Sequence, residues 1–591
     1  MHHGGIYADE IVGKAYDRAL MARFFSYLRP YRGLVAATLL LLPLTTAAKL
    51  AQPWIIKLAI DNHIVKGQME GLPALAAWFL LLILTESLLS FFEVWLLQYL
   101  GQRIMQDLRL ELFAHVQGLS TSFFDRTPTG SLVTRLTSDV EVLGEMFAAG
   151  IIAVVGDILL LAGIIGVMLW INPRLSLVTF SVLPVLIWVA FTFRRRMRTA
   201  FRQVRSRLAA LNTFLNESIG GMTIIQLFNR QAAEEVEFQR LNAVYRDANL
   251  PVITWDAALY AAVEALSSVA VGLLIWYGGG EIISGALTFG ALVAFIQYIE
   301  KFFSPIRDLS AKYSVMQGAM AALERLFNLL DTRETLPEPS ESQAVTPPRP
   351  AGVIEFRDVW FAYNGDDYVL KGFSLRVACG ETVALVGETG GGKTTVTRLL
   401  SRLYDVNRGS ITLDGFDLRD IALHDLRSRI GIVLQDPCLL SGTIEDNICL
   451  GDERIRPQVR RAAETVGADR FIERLPNGYS EELNERGGNL SSGERQLISF
   501  ARAVAFDPEI LVLDEATASV DTASERLIQE GLARLMAGRT TLVVAHRLST
   551  IRTADRIVVI HRGEKIEEGS HDSLMELQGL YYRLHQLQFR D

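Results

Sequence analysis

This 591-residue chain predicts two unlike parts: an all-α membrane domain of about six helices, followed by an α/β domain built around a phosphate-binding loop. Three observations carry that fold class. Long apolar stretches recur through the front half, a polar Pro-rich segment interrupts the chain near residues 335–350, and Gly387 to Thr394 reads G-x-x-x-x-G-K-T directly after an apolar strand pattern. Half of the residues are hydrophobic and mean hydropathy is +0.24, which fits a mixed chain better than one that is soluble or membrane-embedded throughout. The length also exceeds what one core organises, at roughly 100–200 residues per domain.

At the front, Met1 to Gly5 precede the charged segment Asp9 to Arg23 with no Arg-rich n-region or apolar h-region, so no secretory signal is expected. His2 and His3 are too few for a metal-binding tract. Arg18 to Leu28 reads as an interfacial lead-in helix. Six apolar runs follow, near Leu34 to Leu50, Leu72 to Leu97, Met146 to Ile171, Leu175 to Phe193, Ala258 to Tyr277 and Ala286 to Phe303. Each is close to or above the ~18–20 residues that span a bilayer core as helix. An even number of spans places both termini on one side.

Charge asymmetry selects the side. Arg103, Arg109, Arg126 and Arg135 lie between the second and third spans, and Arg194, Arg195, Arg196, Arg198, Arg202, Arg205 and Arg207 between the fourth and fifth. The opposite connections, Asp61 to Gly71, Asn172 to Arg174 and Gly278 to Gly285, are short and carry few cations. The positive-inside rule then puts the basic loops, both termini and the α/β domain of a multi-pass membrane protein in the cytoplasm. The two basic loops keep helical periodicity, so the membrane helices are expected to continue into the cytosol and to be joined by short transverse elements near Phe123-Phe124-Asp125-Arg126 and Leu215-Asn216-Glu217-Ser218.

The formal net charge of -8 gives no basic field of the kind that grips nucleic acid. Cys379, Cys438 and Cys449 are the only cysteines and show no C-x-x-C or Cys/His spacing, which reads as reduced thiols with packing roles.

The domains expected are 1–330 for the membrane part, 331–351 for a linker and 352–591 for the α/β part. Thr335 to Pro350 reads T-L-P-E-P-S-E-S-Q-A-V-T-P-P-R-P, which cannot sustain a helix. Strand patterns at Val353 to Phe356 and Val359 to Tyr363 open the last domain, and the strand Thr382 to Val386 feeds the glycine loop, with a helix at Thr394 to Leu403. That context lets backbone N–H groups and a helix N-terminus converge on phosphate.

In order, this segment holds Tyr363, Gly387 to Thr394, Gln435 after Ile430 to Leu434, Leu490-Ser491-Ser492-Gly493-Glu494, Leu511 to Leu513 before Asp514-Glu515, Ser519-Val520-Asp521, and His546 after Leu542 to Val544. The order and spacing resemble the nucleotide-binding domain of ATP-binding cassette proteins. With six spans ahead of it, the whole chain resembles a bacterial ABC exporter half-transporter of the lipid and multidrug type. The resemblance implies an ATP hydrolase coupled to transport across the bacterial cell (inner) membrane, with ATP and Mg²⁺ as cofactors. It places ATP on Gly387, Glu388, Thr389, Gly390, Gly391, Gly392, Lys393, Thr394 and Thr395, with Tyr363 stacking on adenine. It gives Mg²⁺ to Thr394, Gln435 and Asp514, and catalysis to Glu515 as general base with His546, Gln435 and Lys393 around the γ-phosphate. Asp521 belongs to the loop that follows. A lone Asp-Glu pair or a lone His after a strand is usually structural; behind a phosphate loop, in this order, they read jointly as a site.

Ser491, Ser492, Gly493 and Glu494 imply a second contact. In the family this signature meets ATP held by the other subunit, so one cassette per chain implies a dimer. The usual L-S-G-G-Q is here L-S-S-G-E, which adds bulk and a negative charge near the nucleotide. A degenerate site in a heterodimer with a second half-transporter is the reading preferred over a homodimer. Glu86, Glu93, Asp157 and Glu264 are ionisable at bilayer depth, a position costing at least ~2.5–3.5 kcal/mol unless paired or wet. An acidic cavity for amphipathic cations, and internal ion pairs with residues such as Lys49, are both open. The cargo expected is a hydrophobic, multidrug-like small molecule, with a lipid flippase as the alternative. A soluble cassette ATPase or an importer ATPase would lack the fused spans, and an N-terminal cysteine protease domain is disfavoured because no cysteine precedes Cys379.

Overall fold

The structure, a computed structural model, describes residues 17–147, 152–340, 342–349, 352–514, 522–545 and 548–588. Its contacts separate two compact units. The first runs to Gln117 and resumes from Thr129 to Thr332; the second joins Gly118–Pro128 to the chain from Arg333 onward.

The first unit is helical. The lead-in helix α1 (Arg18–Ser26) is capped by Asp17, whose carboxylate accepts from the Ala19 and Leu20 amides. Next come α2 (Arg32–Ala59) and α3 (Leu72–Gln117). Beyond the short α4 (Thr121–Arg126), which clusters with the second unit, lie α5 (Thr129–Thr134), α6 (Val140–Glu145) and α7 (Ile152–Ile171). The fourth apolar run is broken: α8 (Pro173–Phe180) stops short of Pro184, which sits in the first turn of α9 (Leu183–Gly220), where a missing N–H costs nothing. The remaining helices are α10 (Met222–Leu227), α11 (Gln231–Ile283) and α12 (Phe289–Asp331).

Five helical stretches among the described residues are long and apolar enough to cross a membrane: 29–64, 72–117, 152–171, 173–220 and 231–283. The sixth expected span opens α12. Its Ala294, Phe295, Tyr298, Ile299 and Phe303 are buried against the other helices, and Glu300 and Lys301 interrupt its hydropathy. The short transverse element expected at Leu215 to Ser218 lies instead at Met222–Leu227. Nothing at 215–218 breaks the helical pattern, whereas Gly220-Gly221 does, and Gly221 ends α9.

The second unit is α/β. An antiparallel sheet has the order β2-β1-β4-β5, from β1 (Ile354–Ala362), β2 (Tyr368–Val377), β4 (Arg408–Leu413) and β5 (Phe416–Asp417). A six-stranded sheet has the order β12-β11-β3-β10-β9-β6: β3 (Thr382–Val386), β6 (Ile430–Val433), β9 (Ile510–Asp514), β10 (Thr540–Val544), β11 (Arg556–His561) and β12 (Glu564–Gly569). A small hairpin pairs β7 (Gly442–Thr443) with β8 (Glu482–Leu483). Strand β3 is central and apolar on both faces. Val383 and Leu385 pack with Phe356 and Leu375 on one side, Ala384 and Val386 with Leu497 and Ile498 on the other, as the two-residue period of a buried parallel strand requires.

The Pro-rich segment 332–349 has no helix or strand in its described residues, yet it is fastened to the second unit. Two arginines, each 1% exposed, hold its carbonyls: Arg402 donates to Pro337 O (2.6 Å), Arg429 to Pro347 O (2.8 Å) and Pro348 O (3.2 Å). A Pro-rich segment cannot spend those carbonyls in a helix or strand ladder, and buried guanidinium donors need acceptors.

Candidate functional site

Parallel strands β3, β10, β9 and β6 end at one edge of the sheet. Register puts Leu385 of β3 and Asp514 of β9 both beside Val544 of β10, and β6 runs parallel to β9 on its other side. The glycine loop therefore leaves β3 beside Asp514, and Gln435 leaves β6 on the same edge, exposed. The carboxyl edge of such a sheet is where ligands bind. Glu515, Asp521 and His546 lie outside the described residues.

The loop cannot accept ordinary side chains at its tight points. A Cβ at Gly387 would stand 2.1 Å from Ile560 O, and Gly392, at φ +103°, would place one 2.9 Å from Leu370 Cδ2. Gly392 caps the helix α13 (Lys393–Leu400) with no side-chain bond to its first turn, which leaves the amides of that turn for a ligand. Lys393 is buried, its ammonium donating to Gly387 O and Glu388 O at 2.8 Å each. Burial pushes its pKa down, against the attraction of Asp514 and Glu388. Thr394 is half-buried, Thr395 buried, and Glu388, Thr389 and Gly390 are exposed.

Tyr363 borders this loop with 37% of its surface exposed. Its hydroxyl is 3.2 Å from Thr395 Oγ1, and the Arg398 guanidinium lies 5.9 Å from its ring centroid. Two rings meet it edge-on, Phe361 at 4.9 Å and Tyr404 at 5.2 Å. Tyr404 in turn donates its hydroxyl to the Asp125 carboxylate of α4, and burial raises its pKa, with that bond adding to the effect. Arg126 pairs with Glu334, and the Ser120 amide donates to Glu334 O at 2.7 Å. Nothing in the linear pattern singles out Tyr404; Asp125 sits in the transverse element expected at 123–126.

The second phosphate-facing candidate is the helix Ser492–Ala505. Ser491 is its N-cap and forms a capping box with Glu494: the Ser491 amide and hydroxyl each donate to Glu494 Oε2 at 2.8 Å, and the Glu494 amide donates to Ser491 Oγ at 3.3 Å. The extra carboxylate thus turns back onto the signature serine and accepts hydrogen bonds from its hydroxyl and its amide. Gly493 is buried and Ser492 exposed.

In the membrane unit, a cavity of about 330 Å³ is lined by Lys49, Gln52, Glu86, Asp157, Lys301 and Ser304 among others. Glu86 and Asp157 therefore share a cavity. Glu93 instead accepts from Thr45 Oγ1 at 2.7 Å, and Glu264, on α11, is not one of the lining residues. The cavity is not purely acidic. Asp157 is paired with Lys312, and Lys301 donates to Lys49 O (3.1 Å) and Gln52 Oε1 (2.9 Å). Lys301 is the ionisable residue of the sixth apolar run that a search for carboxylates passes over. Of the cysteines, Cys449 is buried and Cys379 and Cys438 are exposed; all three are free.

Residues 35–306 match the family described as ABC transporter transmembrane region, and residues 370–518 match ABC transporter. The chain is 38% identical over 586 residues to the uncharacterized ABC transporter ATP-binding protein YknV of Bacillus subtilis, covering 98% of this chain and 96% of the relative. It is 38% identical to the probable multidrug resistance ABC transporter ATP-binding/permease protein YheH of the same organism, over 88% of this chain and 77% of that one. It is 36% identical to an ATP-dependent lipid A-core flippase of Syntrophus aciditrophicus, over 97% and 95%. A bacterial Atm1-family ABC exporter solved with ATP bound superposes with a TM-score of 0.78 at 28% identity, over 97% of this chain and 100% of that one.

Proposed function

The chain belongs to the ABC exporters that fuse a transmembrane region to an ATPase domain, and from that premise we propose that it moves hydrophobic or amphipathic small molecules out of the bacterial cytoplasm by alternating access. ATP-driven export, a dimer of half-transporters and a multi-pass membrane location follow from the family. The cargo, the orientation and the site roles are the proposal.

The observation that carries it is the convergence of the glycine loop, Asp514 and Gln435 at one sheet edge, next to an exposed aromatic ring. Adenine stacks on the open face of Tyr363. The phosphates take the free amides of the first turn of α13, and the Lys393 ammonium exchanges its two loop carbonyls for phosphate oxygens, regaining a full counter-charge in a site that disfavours an unpaired cation. Thr394 and Asp514, with Gln435 near, are hard oxygen donors suited to Mg²⁺, which keeps waters and takes one or two protein oxygens besides phosphate. Mg²⁺ supplies charge neutralisation at the transferred phosphate. Glu515 acts as the base that orients the attacking water, and His546 steadies the γ-phosphate.

Coupling runs through α4. An adenine on Tyr363 bears on a ring that touches Tyr404, and Tyr404 holds Asp125. The basic loops, and with them the ATPase and both termini, are cytoplasmic by the positive-inside rule. The Glu494 carboxylate on Ser491 favours a heterodimer in which this chain supplies the weaker signature. Strong ATPase from this chain alone would overturn that part.

The test is substrate-stimulated ATPase in liposomes, comparing hydrophobic cations with lipids and using Glu515→Gln as the inactive control. Stimulation by lipids and by none of the cations would replace the drug pump with a flippase. The Lys301 and Lys49 lining, which offers cations beside Glu86, favours that second reading.

A further inference from the structure

The exposed face of α9 passes from apolar to basic without turning. Ile187, Trp188 and Phe191 are 58%, 68% and 70% exposed, whereas Leu186, Met197, Ala200 and Leu211 are buried. At about 100° per residue, the three exposed apolar side chains and Arg195, Arg198, Arg202 and Arg205 fall within roughly 100° of the helix circumference, and the buried four lie opposite. All four arginines are exposed. Hydrocarbon covers an exposed apolar face on a span. The first arginine of that face stands about 6 Å, one helical turn, beyond Phe191.

Two aromatic pairs carry cations in the same way. On α11, Trp255 meets Phe193 edge-on at 5.6 Å and carries the Arg196 guanidinium 4.6 Å from its ring centroid. On α3, Trp95 stacks on Tyr99 at 5.5 Å, and the Tyr99 hydroxyl accepts from Arg103 at 2.8 and 3.0 Å. Aromatics beside cations at helix exits are the chemistry of the headgroup layer. Acids are at hand for other arginines of this hairpin: Arg240 pairs with Glu237 and Arg246 with Asp247. Among the described residues, Arg195, Arg198, Arg202 and Arg205 have no ion pair.

We propose that this stripe is a binding site for anionic phospholipid headgroups. Arg195 and Arg198 meet the phosphates directly, a match for the planar guanidinium fork. Arg202 and Arg205 lie about 10 and 15 Å beyond Arg195 along the axis and add attraction that fades over a screening length of ~8 Å. The choice of the cytoplasmic leaflet rests on the orientation proposed above; the site itself does not.

Full-length protein in nanodiscs of equimolar phosphatidylglycerol and phosphatidylcholine, released and weighed by native mass spectrometry, reads the retained lipid ratio. Wild type is expected to retain phosphatidylglycerol over phosphatidylcholine by at least about fivefold, the yield of one basic residue at headgroup depth. Replacing all four arginines by Gln brings the ratio toward one, and replacing them by Lys keeps most of it. If the fourfold Gln variant does not fold, the pair Arg195→Gln and Arg198→Gln carries the test. A wild-type ratio near one overturns the proposal, as does a folded Gln variant with an unchanged ratio. Loss of the dimer mass with the lipid ratio intact also overturns it, by assigning the stripe to a second copy. With Cys379, Cys438 and Cys449 replaced by Ser, impermeant maleimide labelling of Arg205→Cys in sealed vesicles of known sidedness tests the orientation separately: labelling from the extracytoplasmic side with the lipid ratio intact refutes the orientation and leaves the lipid site standing.

Discussion

Two helices of the second unit aim their N-termini where a phosphate is expected, and they begin in opposite ways. Helix α13 opens on a left-handed glycine with no side-chain cap and carries Lys393 at its first position. The helix Ser492–Ala505 opens on a serine whose amide and hydroxyl are both taken by Glu494. Both solve the same problem of orphan amides. The first leaves them to a ligand, beside a buried lysine whose ammonium donates to two carbonyls of its own loop. The second satisfies them internally with a negative charge, so a phosphate arriving there competes with a carboxylate already in place.

Breaking the first helix start should have the largest effect. Lys393→Ala removes the lysine at the first position of that helix and should lower the ATPase kcat by at least ~10², the size of losing one preorganised charge donor; a loss under fivefold would mean that the amides alone suffice. Next comes the strut beside it. Tyr404→Phe keeps the ring against Tyr363 but deletes the bond to Asp125, a charge-assisted bond worth roughly 1.5–3 kcal/mol. Transport should fall by more than ATPase does, and equal losses in both would remove α4 from the coupling route. Glu494→Gln keeps the capping geometry and deletes the charge, so ATP-driven association of the two half-transporters should tighten by on the order of fivefold. Unchanged association would mean that the carboxylate is irrelevant to the nucleotide. Smallest is Ser491→Ala. It should cost ~0.5 kcal/mol in thermal unfolding, the low end for an N-cap, because the backbone amide at 491 still donates to Glu494.

The contrast also divides what was legible. The glycine loop announces its geometry because only glycine tolerates a Cβ clash of the kind at Gly387 and Gly392, so spacing and residue type together imply the fold around them. Glu494 is legible as an oddity, but whether its charge faces outward or back depends on a rotamer, and no linear pattern encodes that. The membrane unit behaves the same way. Apolar length identified the spans, while three of the four intramembrane carboxylates separated by context: Asp157 found Lys312, Glu93 found Thr45, and Glu86 joined a cavity with Lys49 and Lys301. The second transverse element moved to Met222–Leu227 because a glycine pair, rather than the polar residues before it, ends the helix.

By itself the sequence determined the two-part architecture, the phosphate loop and the family. Helix length, hydropathy and glycine spacing are local quantities, and local quantities survive in a string. The tertiary structure alone decided that Asp514, Gln435 and the loop share one edge, that Gly118–Pro128 clusters with the ATPase, and that Arg402 and Arg429 strap down a segment that reads as free linker. Each of those rests on a partner far along the chain, brought near only by parallel strand register or by burial of a charge that must find its acceptors where the fold puts them.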